Sequence, residues 1–138
     1  MARKPKTSTN KAFCDRLARR LVMHREAGLD GTPVCQFCGL VTATDWAHII
    51  PRRYSAVRCA EDNAWALCRA CHRVVDQWIE EKLKLIERTI GMERYEELRR
   101  LAEAGPPMSY ELWWREERER LTARCVELGV STKWKESA

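Results

Sequence analysis

The chain has 138 residues, 45% of them hydrophobic, which suits one small domain with a modest core and excludes an array of domains. Twenty-five Lys and Arg against twenty Asp and Glu leave a net charge of +5, which favours a polyanionic partner. No apolar run approaches the ~20 residues that span a bilayer and no apolar signal segment follows Met1, so a membrane partner is excluded and a cytoplasmic setting is expected.

Residues 1 to 31 read as a basic arm and helix. Arg3, Lys4, Lys6, Lys11, Arg16, Arg19, Arg20 and Arg25 are opposed there only by Asp15 and Glu26 before Leu29. Asn10 reads as an N-cap, after which Phe13, Leu17, Leu21 and His24 recur at helical spacing toward a stop near Gly28. The arginines then face outward, either to contact a DNA backbone or simply to solvate a surface helix.

A turn at residues 31 to 33 leads to Cys35-x-x-Cys38, with Gly39 free to take positive φ beside a metal. Residues 40 to 50 read as a first strand stopped by Pro51, residues 52 to 63 as a loop, and Trp65-Ala66-Leu67 as a second strand before Cys68-x-x-Cys71. Two such pairs suit a tetrahedral structural zinc, and with an odd total of seven cysteines they argue against a disulfide framework. Cys14, Cys59 and Cys125 are left as ordinary reduced thiols.

Beyond Cys71, one helix is expected from Val75, Ile79, Leu83, Ile86 and Ile90, stopped at Gly91. A further helix over residues 93 to 104 ends at Gly105-Pro106-Pro107. Ser109 then caps a last one, in which Leu112, Trp113, Leu121, Cys125 and Leu128 recur. Trp113 and Trp114, beside Arg115, Arg118 and Arg120, either fill the core or stack on exposed bases. A homodimer through this region is open. The fold class is α+β, and the division is 1–31, a central unit 32–91 and a helical extension 92–138.

His72 and Asp76 stand four residues apart, on one face of their helix, and both can reach one divalent cation such as Mg(II) or Mn(II). His48 ends the first strand, and an imidazole titrating near pH 6.5 suits a general base. Asn63 either orients that ring or bridges the loop backbone.

Cys35-x-x-Cys38, His48, Asn63 and Cys68-x-x-Cys71-His72, with fifteen positions from His48 to Asn63 and nine from Asn63 to His72, resemble the HNH nuclease family with its ββα-metal (His-Me finger) core. Ala47-His48-Ile49-Ile50-Pro51-Arg52-Arg53, Arg58 before Glu61-Asp62-Asn63, and the stretch from Ile90 to Leu98 further resemble phage NinG/Rap-type and related phage HNH nucleases. The likeness covers about residues 33 to 104. Many members place a metal ligand directly before the base, where this chain has Ala47. Strand alternation puts Asp45 on the same face as residue 47, so either Asp45, from ~6 to 7 Å away, or Asp76 completes the site.

The expected function is therefore metal-dependent endonucleolytic hydrolysis of DNA in phage DNA processing or recombination. His48 takes a proton from water, His72 and Asp76 (with Asp45) hold the ion, and Asn63 positions His48. Arg52, Arg53 and Arg58 hold the phosphate backbone. The resemblance implies 5′-phosphate and 3′-hydroxyl ends. The competing class is a zinc module that binds nucleic acid without cleaving it, and a thiol-redox protein ranks behind both.

Overall fold

The computed structural model describes residues 7–134, so Arg3, Lys4 and Lys6 lie outside the described residues. The chain is α+β. In chain order it runs α1 (Thr7–Arg25), β1 (Asp45–His48), a short 3-10 turn (Glu61–Asn63), β2 (Ala64–Leu67), α2 (Arg69–Gln77), α3 (Ile79–Thr89), α4 (Met92–Ala104) and α5 (Tyr110–Leu128). The strands pair antiparallel with Asp45 opposite Leu67 and His48 opposite Ala64.

Side-chain alternation along the two strands divides the core. Trp46, Ala64 and Ala66 join Phe13, Leu17 and Leu21 of α1 and Trp114, Leu121 and Cys125 of α5. On the other face, Ala47, Trp65 and Leu67 join Val75 of α2 and Leu85 and Ile86 of α3. A smaller cluster packs Ile50 and Val57 of the interstrand loop on Leu98 and Ala102 of α4. With helices on both faces, all four residues of β2 are buried, which is why its sequence lacks polar alternation. The first and last helices, distant in sequence, thus share one core.

The helices depart from the sequence expectations in three places. The first begins at Thr7, so Asn10 is no N-cap; its buried side chain accepts a hydrogen bond from Arg118 at 3.0 Å. The helix expected through Val75 and Ile90 is two, broken at Trp78, whose backbone is extended at φ −119° and ψ 103°. The break leaves Ile79 and Leu83 exposed and turns Leu85 and Ile86 onto the hairpin instead. The first strand is shorter than expected, since Leu40 and Val41 are exposed in the turn and only Val34 and Thr42 bridge there. Positive φ at Gly39 and the helix stop before Gly91 agree with expectation, as does the Ser109 cap, whose hydroxyl accepts from Leu112 N at 3.3 Å.

The arginines of α1 are not a free outward stripe. Arg16 donates to the carbonyl of Trp134 at 3.1 Å, Arg19 to that of Thr44 at 3.2 Å, and Arg20 to that of Ser131 at 2.9 Å. Arg25 reaches the carbonyls of Glu61 and Ala64 at 2.7 and 3.0 Å and Gln36 Oε1 at 3.0 Å. Irregular segments leave carbonyls without ladder partners, and these guanidiniums satisfy them. Trp114 is fully buried, which places it in the core rather than on a base-stacking surface.

Because α1 seals one face of the hairpin, Leu17→Ala should cost about 2–5 kcal/mol in denaturant unfolding. A loss within ~0.5 kcal/mol would mean that α1 is a dispensable arm, as its charge suggests on paper.

Candidate functional site

The four thiols Cys35, Cys38, Cys68 and Cys71 lie with their Sγ atoms all within 4.8 Å of one another and can hold a metal such as zinc. Tetrahedral Zn–S bonds of ~2.3 Å fit inside that spread. The knuckle carrying Cys35 and Cys38 is anchored from three sides. Cys35 N donates to Val41 O, Gln36 N donates to Ala66 O, and Arg88 of α3 donates to the carbonyl of Gln36 at 3.0 Å. Cys68 caps α2, so the cluster sits where that helix begins.

Burial disfavours an ionised Cys35, yet hydrogen bonds from the backbone of Cys38, Cys68 and Phe37 outweigh it and bring the thiol down to about 7. Cys71 is pushed up, first by burial and then by the three neighbouring sulfurs. Crowded sulfurs of this kind repel one another as thiolates, and a cation at their centre reverses the penalty. All seven cysteines are free thiols.

One turn into α2, His72 stands between two carboxylates. Its Nδ1 lies 2.9 Å from Asp45 Oδ2, and its Nε2 lies 3.5 Å from Asp76 Oδ2. A carboxylate only accepts, so in the neutral ring Nδ1 carries the hydrogen and Nε2 turns a lone pair toward Asp76. A lone pair facing a carboxylate is an arrangement that a divalent cation completes. Burial works against the Asp45 carboxylate, but donors from His72, Arg69 and Thr44 prevail and hold it below the ordinary range. Asp45 thus meets His72 on the ring edge opposite Asp76. The structure makes it a brace for the imidazole and does not bring all three residues onto one point. Among the described residues, only the four-cysteine group gathers three or more ligand atoms within 4.8 Å.

His48 shares a strand face with Trp46, whose ring it meets edge-on at 4.2 Å, and that face looks toward α1. Asp45 and Ala47 point to the α2 face, so His48 and the His72 pair flank the hairpin on opposite sides. His48 Nε2 donates to the carbonyl of Arg58 at 2.9 Å, which leaves Nδ1 as the acceptor. Burial first, then the cations Arg52 and Arg58, push its pKa down to about 4.

Asn63 is fully buried and its side chain makes no hydrogen bond to His48. Its Oδ1 accepts from Ile50 N at 2.8 Å, and its Nδ2 donates to the carbonyls of Ile50 and Val57 at 3.1 and 3.0 Å. It bridges the loop backbone, the second of the two roles considered for it. Arg58 is committed to Asp15 of α1 through bonds of 2.8 and 2.7 Å, so its guanidinium holds the loop. Arg52 and Arg53 remain exposed, over Trp46 and Tyr54 respectively. Sequence reasoning missed Asp15 as an anchor, although a carboxylate alone within a basic helix was the available signal.

Compared with known proteins, the chain matches no family model, no curated protein and no solved structure. The described residues contain no helix long and apolar enough to cross a membrane.

Chelation with a strong zinc ligand should lower the melting temperature, and one zinc per chain should survive dialysis that removes magnesium. Metal-free protein with an unchanged melting temperature would rule this out. Folded His48 also refuses a proton that the unfolded chain accepts below pH 6.5. Stability should therefore fall as pH drops from 6.5 toward 4, while His48→Gln loses this component. Melting curves of the two proteins across that window should converge as pH falls; parallel curves would contradict the assignment.

Proposed function

We propose that the chain is a divalent-metal-dependent endonuclease of the HNH type acting on DNA phosphodiester bonds. The observation that carries this reading is the His72 ring, held by Asp45 at Nδ1 and facing Asp76 at Nε2, on the helix that starts at the four-cysteine cluster. An imidazole braced by a carboxylate on one nitrogen, with a second carboxylate facing the other at 3.5 Å, supports a metal ligand over a packed core histidine.

His72 and Asp76 would hold Mg(II) or Mn(II), with Asp45 fixing the tautomer and angle of the ring. When bound, that ion neutralises charge on the phosphate and the departing oxygen. His48 accepts a proton from water at Nδ1, because Nε2–H is tied to the carbonyl of Arg58. Its depressed pKa keeps it unprotonated at neutral pH, and a phosphate anion beside it raises the basicity that burial removed. Asn63 and the Asp15–Arg58 pair hold the loop that supplies this carbonyl. Arg52 and Arg53 contact the backbone electrostatically, and zinc at the four cysteines holds the frame. Since base and metal pair flank β1, the phosphodiester lies across the end of the hairpin. The HNH resemblance adds 5′-phosphate and 3′-hydroxyl products and a setting in phage DNA processing.

The opposed faces of His48 and His72 are also what favours the second reading, a zinc-stabilised nucleic-acid-binding module without cleavage. Plasmid nicking with and without Mg(II) or Mn(II) separates the two. Folded His48→Ala should lose about 10² to 10⁴-fold in rate with its zinc content and DNA affinity kept. His72→Ala and Asp76→Ala should lose their dependence on the divalent ion, and Asp45→Asn should weaken metal affinity about 10 to 100-fold. A wild type inert on supercoiled, linear, single-stranded and branched DNA with every divalent ion would leave the binding module.

A further inference from the structure

A cleft of about 190 Å³ opens between the loop that follows His48 and helices α3 and α4. Pro51 and Tyr54 form its loop wall and Tyr95 its α4 wall. Three cations line it, Arg53, Lys82 and Arg99, against one carboxylate, Glu103. The two guanidiniums are held over aromatic rings, Arg53 at 4.8 Å from the Tyr54 centroid and Arg99 at 5.9 Å from that of Tyr95. Arg53 also donates to the Tyr54 hydroxyl at 3.3 Å, while Arg99 shares its charge with Glu96 at 3.4 Å.

Lys82 is different. It is partly buried on α3, and its ammonium has no hydrogen bond or ion pair among the described residues. Burial pushes its pKa down, and only the more distant charge of Asp76 opposes this. A partly desolvated ammonium with no direct partner, beside two further cations in a cleft with a single carboxylate, is an arrangement that a bound anion stabilises. The volume lies below the ~300–1,000 Å³ of ordinary small-molecule pockets, and the three cations of its lining suit a compact oxyanion.

We infer that this cleft is a phosphate subsite in which Lys82, Arg53 and Arg99 hold one backbone phosphate of a nucleic-acid strand. Pro51 lies three residues after His48, at most ~10 Å along the chain, so the phosphate sits a few nucleotides from the one beside His48. The strand as the source of the phosphate rests on the nuclease reading; the phosphate chemistry rests on the cleft alone.

The test uses the full chain with zinc bound. Calorimetric titration with inorganic phosphate, and the salt dependence of binding to an oligonucleotide without terminal phosphates, are compared for wild type, Lys82→Met, Arg99→Gln and Lys84→Met. Lys84, exposed on the same helix and paired with Glu81, serves as the control. Lys82→Met should lower phosphate affinity at least tenfold and make the salt slope shallower by about one, with Arg99→Gln in the same direction and Lys84→Met unchanged. Its melting temperature should hold or rise, because an uncompensated charge is removed. Unchanged phosphate binding in both Lys82→Met and Arg99→Gln overturns the subsite, as does a marked fall in the melting temperature of Lys82→Met with normal phosphate binding by Arg99→Gln. Lost phosphate binding with an unchanged salt slope overturns the strand as its source. A wild type that binds phosphate through Lys82 yet cleaves no DNA keeps the subsite and removes the nuclease reading, and one that cleaves but binds no phosphate does the reverse.

Discussion

A hairpin of four residues a strand is not stable by itself in water, and the rest of this chain is arranged to cover it. Helices α1 and α5 close one face over Trp46, Ala64 and Ala66, and α2 and α3 close the other over Ala47, Trp65 and Leu67. The two alanines of β2 keep the first face shallow enough for α1 to approach, while Trp65 and Leu67 fill the second. The four-cysteine cluster lies at the edge of that second layer, where Cys35 and Cys71 belong to the same packed group as Val75. A metal held there would tie the knuckle to the start of α2, and the direction of α2 sets where His72 and Asp76 stand.

Covering a short sheet with long irregular connections leaves many backbone carbonyls in need of donors. This chain answers with arginine. Guanidiniums of Arg19, Arg20 and Arg25 end on carbonyls far away in sequence, and Arg58 turns inward onto Asp15. Much of the positive charge therefore serves the packing of the chain. Other cations sit close to the loop after His48: Arg52 over Trp46, and Arg53, Lys82 and Arg99 around the cleft beside it.

The two histidines of interest illustrate how surroundings separate like groups. His48 has a carbonyl at Nε2 and two nearby cations, which hold it neutral with Nδ1 open. His72 has a carboxylate at Nδ1, which turns Nε2 outward toward Asp76. In each ring a single hydrogen bond selects which nitrogen of the neutral imidazole keeps its lone pair. Asp45 and the carbonyl of Arg58 are thus as consequential as the imidazoles they fix, and neither belongs to the motif spacing that first drew attention to the site.

Elements governed by neighbours in the chain could be read directly from the residues: the two Cys-x-x-Cys pairs, the positive φ at Gly39, the stop at Gly91, the Ser109 cap and the i,i+4 relation of His72 to Asp76. Each depends on interactions spanning only a few positions, so spacing and residue type suffice. The inward turn of Arg58 toward Asp15, 43 positions away, has no such local cause. Nor do the break at Trp78, the engagement of the α1 arginines by distant carbonyls, or the placement of His48 and His72 on opposite faces of the hairpin. These follow from which surfaces the hairpin must bury and which backbone groups the packing leaves unsatisfied, and both are settled only when segments remote in sequence meet.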